Sequence, residues 1–310
     1  MNILVTGGAG FIGSHLCERL LDDGHRVTCL DDLTSGDQRN VNRLLHRPEY
    51  QFVLHDVRLP IPEWMQADQV YHLACPASPV AYQSDPVRTL ETNVSGALNV
   101  LRYALNREAP VLLASTSEVY GDPEQHPQTE DYVGHVNQLG PRACYDEGKR
   151  AAETLFSDYR RMYGLDARIV RIFNTYGPRM RRDDGRVVSN FITQALSGGA
   201  LTVYGDGSQT RSFCYVDDLV DGLLRAMQAP TLPAPVNLGN PTEVSVRHLA
   251  GVISGIAQVE LRTATCDLPA DDPKRRWPDI QRAAEWLGWA PTTALEDGIR
   301  RTFGYFRGQQ

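Results

Sequence analysis

A doubly wound, parallel α/β sheet carrying a smaller interleaved C-terminal lobe is the fold that this 310-residue sequence predicts. Three observations predict it. Short apolar runs recur at residues 3–6, 26–30, 51–54, 69–73, 111–114 and 168–173, separated by segments long enough for helices. Alternation of that kind builds parallel βαβ units. The first run opens straight into a glycine-rich turn. After Phe173 the rhythm breaks, with Gly, Pro and Arg dense through Gly177-Pro178-Arg179 and Arg181-Arg182 and a further loop at 230–235. These boundaries suggest a dinucleotide-binding unit at 1–172, to which 213–240 returns, and a second lobe formed mainly by 173–310.

The elements follow in order. Residues 3–6 read as a strand, Gly7-Gly8-Ala9-Gly10-Phe11-Ile12-Gly13 as a tight turn, and Ile12, Leu16 and Leu20 lie at helical spacing. Strand, glycine turn and helix form the Rossmann arrangement. Its glycines let the backbone approach a pyrophosphate, which the amides and positive dipole end of the helix then bind. The second strand ends in Asp31, near the offset at which a carboxylate accepts hydrogen bonds from an adenosine ribose. Such an acid repels a 2′-phosphate, so NAD is expected over NADP. Adjacent Asp32 is a second candidate for that contact, and a plain strand-end turn is the ordinary alternative use of either Asp.

Strand 111–114 runs into Ser115-Thr116-Ser117-Glu118, at the sheet edge where a cofactor and a substrate meet. Hydroxyls there suit a substrate oxygen, and Glu118 suits proton transfer. Tyr145 and Lys149 lie four residues apart and so share a helix face. The chain contains only two lysines and otherwise uses arginine, so a retained lysine suggests a task for a compact ammonium. The expectation is that Lys149 lowers the Tyr145 pKa towards the range of a general acid/base.

Composition limits the function classes. A net charge of −7 and a pI near 5.6 argue against nucleic-acid binding, so an anionic substrate needs local arginines. No apolar run is long enough to span a membrane, and the first strand starts at residue 3, leaving no room for a signal peptide. A cytoplasmic protein is expected. The six cysteines, Cys17, Cys29, Cys75, Cys144, Cys214 and Cys266, form no Cys-x-x-Cys pair, so neither a metal site nor disulfides are implied.

The glycine motif, Ser115-Thr116-Ser117 and Tyr145-x-x-x-Lys149 resemble the extended short-chain dehydrogenase/reductase family. Longer blocks, 72–79, 116–123, 141–150 and 184–191, resemble its UDP-glucuronate decarboxylase branch over essentially the whole chain. The resemblance implies NAD held by Gly7, Gly10, Phe11, Ile12 and Gly13, by Asp31, Asp32, Thr34, Ser35 and Gly36, and by Asp56, Val57, Leu73, Ala74, Ser115, Tyr145, Lys149 and Phe173. It implies a UDP-sugar held by Pro76, Ala77, Asn174, Arg179, Val187, Val188, Tyr204 and Arg211. Arg276, in a block that begins at Asp271-Asp272-Pro273-Lys274, would grip the sugar carboxylate, as a planar fork can.

The implied reaction is a cycle. Tyr145 takes the 4-hydroxyl proton as the cofactor oxidises that carbon, Thr116 and Ser117 contact the reacting oxygen, and the resulting ketone lets carbon dioxide leave. Glu118 helps to protonate the carbon that lost the carboxylate, and reduction of the ketone restores NAD and yields UDP-xylose. A homodimer is implied too, packed through the Tyr145 helix and a helix at about 89–106. The sequence also departs from its relatives. Glu91-Thr92-Asn93 stands where they usually have Lys-Thr-Asn, which would weaken or redirect glucuronate binding if that lysine holds the sugar. Trp277 and Asp32 replace a frequent lysine and asparagine. UDP-sugar 4-epimerases and 4,6-dehydratases are the nearest alternatives, and a non-catalytic NAD-binding sensor is the distant one.

Overall fold

The computed structural model describes residues 1–266 and 275–309. Its first half alternates as the sequence suggests. Strand β1 (Asn2–Thr6) leads to helix α1 (Phe11–Asp22), β2 (Arg26–Asp31), β3 (Tyr50–Leu54) and β4 (Gln69–His72). Two short helices follow, α2 (Pro79–Ser84) and α3 (Pro86–Glu91), each started by a proline whose missing N–H would be unpaired there anyway. A π-helical turn at Thr92–Gly96 joins α3 to α4 (Ala97–Asn106), so the helix expected at about 89–106 starts earlier and is interrupted. Strand β5 (Val111–Thr116), the long helix α5 (Ala143–Tyr163) and β6 (Ala167–Ile172) complete this half. Strand β5 outlasts the expected 111–114 because Ser115 and Thr116 stay in register with Arg171 and Ile172.

The second half is built of shorter pieces. It comprises β7 (Thr175–Tyr176), α6 (Val187–Leu196), β8 (Leu201–Tyr204), β9 (Thr210–Ser212), β10 (Cys214–Tyr215), α7 (Val216–Gln228) and β11 (Val236–Leu238). Then come β12 (Glu243–Ser245), α8 (Val246–Ala257), β13 (Thr263–Cys266), β14 (Arg275–Arg276), α9 (Gln281–Leu287) and α10 (Leu295–Arg307). Among the described residues no helix is long and apolar enough to cross a membrane.

Seven strands form one parallel sheet in the order β11-β6-β5-β4-β1-β2-β3. Successive residues of a strand face opposite sides. In β1, Ile3 and Val5 pack with Leu16 and Leu20 of α1 and with α6, α7 and α8, while Leu4 packs on the other face with Val100 of α4 and Phe156 of α5. Both faces are therefore covered, which is why the strands read as continuous apolar runs. Burial of each such side chain contributes roughly 1.5–3 kcal/mol. The direction of winding reverses between β1 and β4, and an open parallel sheet forms its binding crevice at such a point. A small sheet, β12-β9-β14, lies in the second half and carries Arg276.

Candidate active site

A cleft of about 830 Å³ opens at the carboxyl ends of the sheet strands. Its floor begins at the glycine turn. Gly7 has φ +72°, and a Cβ there would fall 2.7 Å from the Ala74 nitrogen. A Cβ on Gly13 would fall 2.1 Å from the Gly7 carbonyl oxygen. No side chain caps α1, so the amides of its first turn stay available for an anion. Asp31 accepts hydrogen bonds from the Ala9 and Leu33 amides at 2.9 and 2.8 Å, and its burial pushes the carboxyl above its ordinary pKa. Those two bonds leave acceptor sites on each oxygen for ribose hydroxyls. The turn, the free helix end and the acid fit a dinucleotide.

Of the residues that the sequence assigns to catalysis, cofactor or substrate, all but Asp56 line this cleft. Its neighbours His55 and Val57 do so instead, while the Asp56 carboxylate accepts from Arg58 at 2.8 Å and Arg88 at 3.3 Å. Arg88 also donates to Asp32 at 2.7 Å, which ties α3 to the end of β2. Glu91, which stands where relatives usually have lysine, is also placed by the structure. It lies off the cleft lining, half exposed, and accepts from Arg58 at 2.6 Å, because the turn of α3 that carries it faces the 56–58 loop. Its negative charge is therefore answered by Arg58.

Helix α5 brings Tyr145 and Lys149 into the cleft. The Lys149 ammonium donates to the Ala114 carbonyl at 2.9 Å and lies 6.0 Å from the centre of the Tyr145 ring. Tyr82 of α2 stacks on Tyr145 with ring centres 5.0 Å apart and planes 6° from parallel. The expected lowering of the Tyr145 pKa is not met. Burial pushes the phenol well above its ordinary value, the Cys75 thiol adds to the rise, and only the Thr116 hydroxyl opposes them appreciably. Burial likewise pulls the Lys149 ammonium down, which weakens its influence. The Ser115 hydroxyl donates to Glu153 at 2.6 Å, within a buried pair between Glu153 and Arg171.

The third feature is a charged cluster. Glu118 follows β5 in a 3₁₀ turn, Ser117–Tyr120, whose cap is the Thr116 hydroxyl. One Glu118 oxygen accepts from Arg142 at 2.7 Å and from Arg276 at 2.8 Å, and Arg276 also donates to the Ser117 carbonyl at 2.6 Å. Burial pushes Glu118 up, yet the guanidinium charges of Arg276, Arg142 and Arg211 outweigh it and hold the carboxyl below its ordinary pKa. Parallel pairing of β14 with β9 sets Arg276 beside Arg211. Residues Asp271, Asp272, Pro273 and Lys274 of the same block lie outside the described residues. The guanidinium of Arg179, whose own backbone φ is +67°, pairs with Glu18 of α1. Sequence reasoning missed Arg142 and Tyr82. Arg142 stands three residues before Tyr145 and helical spacing flags it, whereas nothing local marks Tyr82.

Comparison with known proteins agrees with this geometry. A family model described as the NAD dependent epimerase/dehydratase family matches residues 3–239. UDP-glucuronic acid decarboxylase 1 of Danio rerio is 52% identical over 304 residues, covering 98% of this chain and 72% of the relative. UDP-glucuronic acid decarboxylase 6 of Arabidopsis thaliana is 51% identical over 300 residues, covering 96% and 87%. Among solved structures, a UDP-glucose 4-epimerase of Thermotoga maritima superposes with a TM-score of 0.91 at 31% identity, covering 100% of this chain and 99% of that one. A UDP-glucuronic acid 4-epimerase of Bacillus cereus, in complex with UDP-glucuronic acid and NAD, gives 0.88 at 28%, covering 100% of both chains. By sequence, fold and cleft, the chain belongs to the NAD dependent epimerase/dehydratase family, a branch of the extended short-chain dehydrogenases/reductases.

Proposed function

We propose that the protein is a UDP-glucuronate decarboxylase that forms UDP-xylose and carbon dioxide through a 4-keto intermediate and restores its NAD in each cycle. The observation that carries this reading is Glu118 held between Arg142 and Arg276 beside Thr116 and Tyr145. Loss of the carboxylate leaves a carbon that must be protonated, a step that Glu118 is placed to serve, whereas epimerisation at C4 has no such step.

When bound, NAD would supply a reversible two-electron oxidant and, in its oxidised form, a positive charge. Tyr145 accepts the 4-hydroxyl proton and later returns it, with Thr116 and Ser117 hydrogen-bonding the same oxygen. Lys149 binds the cofactor ribose. Arg276 keeps its Nε buried without a hydrogen-bond partner, a donor suited to the sugar carboxylate. The ketone lies beta to that carboxylate, so the C–C bond electrons pass into an enolate as carbon dioxide departs. Glu118, held ionised, orients a water whose proton is delivered to C5. One solvent proton is consumed per turnover, because the proton carried by Tyr145 goes back to the 4-oxygen.

Residues 1–172 with 213–240 would hold NAD, and 173–310 mainly the UDP-sugar through Asn174, Arg179, Val187, Val188, Tyr204 and Arg211. A homodimer packed through α5 and the helical segment at about 89–106 would cover Leu90 of α3 and Met162 and Tyr163 of α5, all exposed. Sedimentation showing only monomer at working concentration rejects the dimer. A cytoplasmic setting suits the six free cysteines, and localisation of a tagged chain tests it. The function itself is tested by incubating the protein with UDP-glucuronate, with and without added NAD. UDP-xylose with carbon dioxide supports it. An isomeric uronate without carbon dioxide, or no reaction, overturns it.

A further inference from the structure

Next to Tyr145, on the flank of α5 turned away from the cleft lining, Asp146 is 5% exposed. Its backbone N–H donates to the Arg142 carbonyl at 3.1 Å, but side-chain Oδ1 is buried with no hydrogen-bond partner. A buried ionised carboxylate with an unbonded oxygen is costly, and protonation relieves that cost. The groups that act on it are Glu118 from the turn after β5, Arg276 from β14, Tyr82 from α2, and Arg142, Cys144, Tyr145 and Glu147 from its own segment. Burial, then the Glu118 charge, push the Asp146 carboxyl up to about 7, against the pull of Arg142 and Arg276. Glu147 is partly exposed and answered by Arg150.

We infer that Asp146 is a positioning residue that switches the affinity of the cleft for the sugar carboxylate. With Asp146 neutral, the guanidiniums of Arg142, Arg276 and Arg211 and the Glu118 carboxylate leave the cluster with two positive charges for an incoming carboxylate. With Asp146 ionised, one of those two charges is cancelled. Substrate binding should therefore weaken as pH rises through neutrality, by an electrostatic route that needs no contact between Asp146 and substrate. A carboxylate-free nucleotide sugar escapes the effect. The inference rests on the decarboxylase reading for the identity of the carboxylate.

The test measures binding by calorimetry to the NAD-loaded Tyr145→Phe protein, which stops turnover, between pH 6 and pH 8. The dissociation constant for UDP-glucuronate is expected to rise roughly tenfold over that range, as binding to a protonated form requires. That for UDP-glucose should stay flat, and adding Asp146→Asn should flatten the UDP-glucuronate curve near its low-pH value. Equal pH slopes for the two sugars overturn the inference without needing any Asp146 variant, and so does a slope that survives Asp146→Asn. The decarboxylation assay on the unmodified protein is separate. Turnover with no pH-dependent difference between the sugars sinks only the role of Asp146, whereas no turnover sinks the reaction itself.

Discussion

At the scale of single residues, the environment of Tyr145 sets the terms for catalysis. The neighbouring ammonium is engaged by the Ala114 carbonyl, and burial raises the phenol, so the protein alone holds Tyr145 protonated. The oxidised cofactor, when bound, would add a positive charge that this environment lacks. Tyr145→Phe is expected to lower kcat by about 10²–10⁴-fold, the usual contribution of a positioned acid/base, while retaining NAD. Unchanged turnover in a steady-state assay would remove Tyr145 from the mechanism. Glu91 makes the opposite prediction. Since it pairs with Arg58 away from the cleft lining, and exposed pairs contribute only about 0–1 kcal/mol, Glu91→Lys should leave KM for UDP-glucuronate within about twofold. A tenfold fall in KM would mean that this position reaches the sugar after all.

At the scale of elements, the passage from β1 into α1 leaves no room for a Cβ at Gly7 or Gly13. Gly13→Ala forces its methyl against the Gly7 carbonyl, so the turn must open and the amide cradle is lost with it. The expected result is protein that purifies without NAD and unfolds at lower temperature, overpacking of this kind costing about 1–3 kcal/mol. Gly251→Ala in α8 is the matched control. Nothing lies within 4 Å of its added Cβ, and alanine in a helix interior should stabilise by about 0.5–1 kcal/mol with NAD retained. If both variants keep NAD equally, the cradle does not depend on Gly13. The same turn shows what was legible in the sequence. Its glycines, the apolar runs of β1 to β6 and the spacing of Tyr145 and Lys149 are local signals that local geometry obeys. The π-helical turn at Thr92–Gly96 has no such signal. Arg276 reaches Glu118 only because a two-residue strand pairs with β9, some 65 residues earlier in the chain. Likewise Tyr82 meets Tyr145 through the packing of α2 and α3 against α5, a contact between segments that no periodicity encodes.

At the scale of the whole molecule, burial of titratable groups makes stability depend on pH with opposing signs. His72, at the end of β4, bonds the Thr6 hydroxyl at 2.7 Å and stacks on Phe156, and burial lowers its pKa from 6.5 to about 3. Above pH 6.5 it is neutral folded or unfolded. Below that, the unfolded chain takes up a proton that the folded one refuses, so stability falls by about 1.4 kcal/mol per pH unit down to about pH 3. His15, lowered by burial to about 4, acts in the same direction. Asp146 acts in the other, because its raised carboxyl holds a proton that the unfolded chain has released, and stability is gained as pH falls from about 7 towards 3.8. The overall slope mixes these contributions, so a difference between variants isolates one. His72→Asn keeps a hydrogen-bonding group near Thr6 but cannot titrate. Relative to the unmodified protein, its unfolding free energy in urea should shift in its favour by about 2 kcal/mol between pH 7 and pH 5, the share of the His72 window crossed in that interval. A difference that stays constant across that interval would show that His72 accepts a proton in the folded sheet, and the neutral imidazole between β1 and β5 would have to be abandoned.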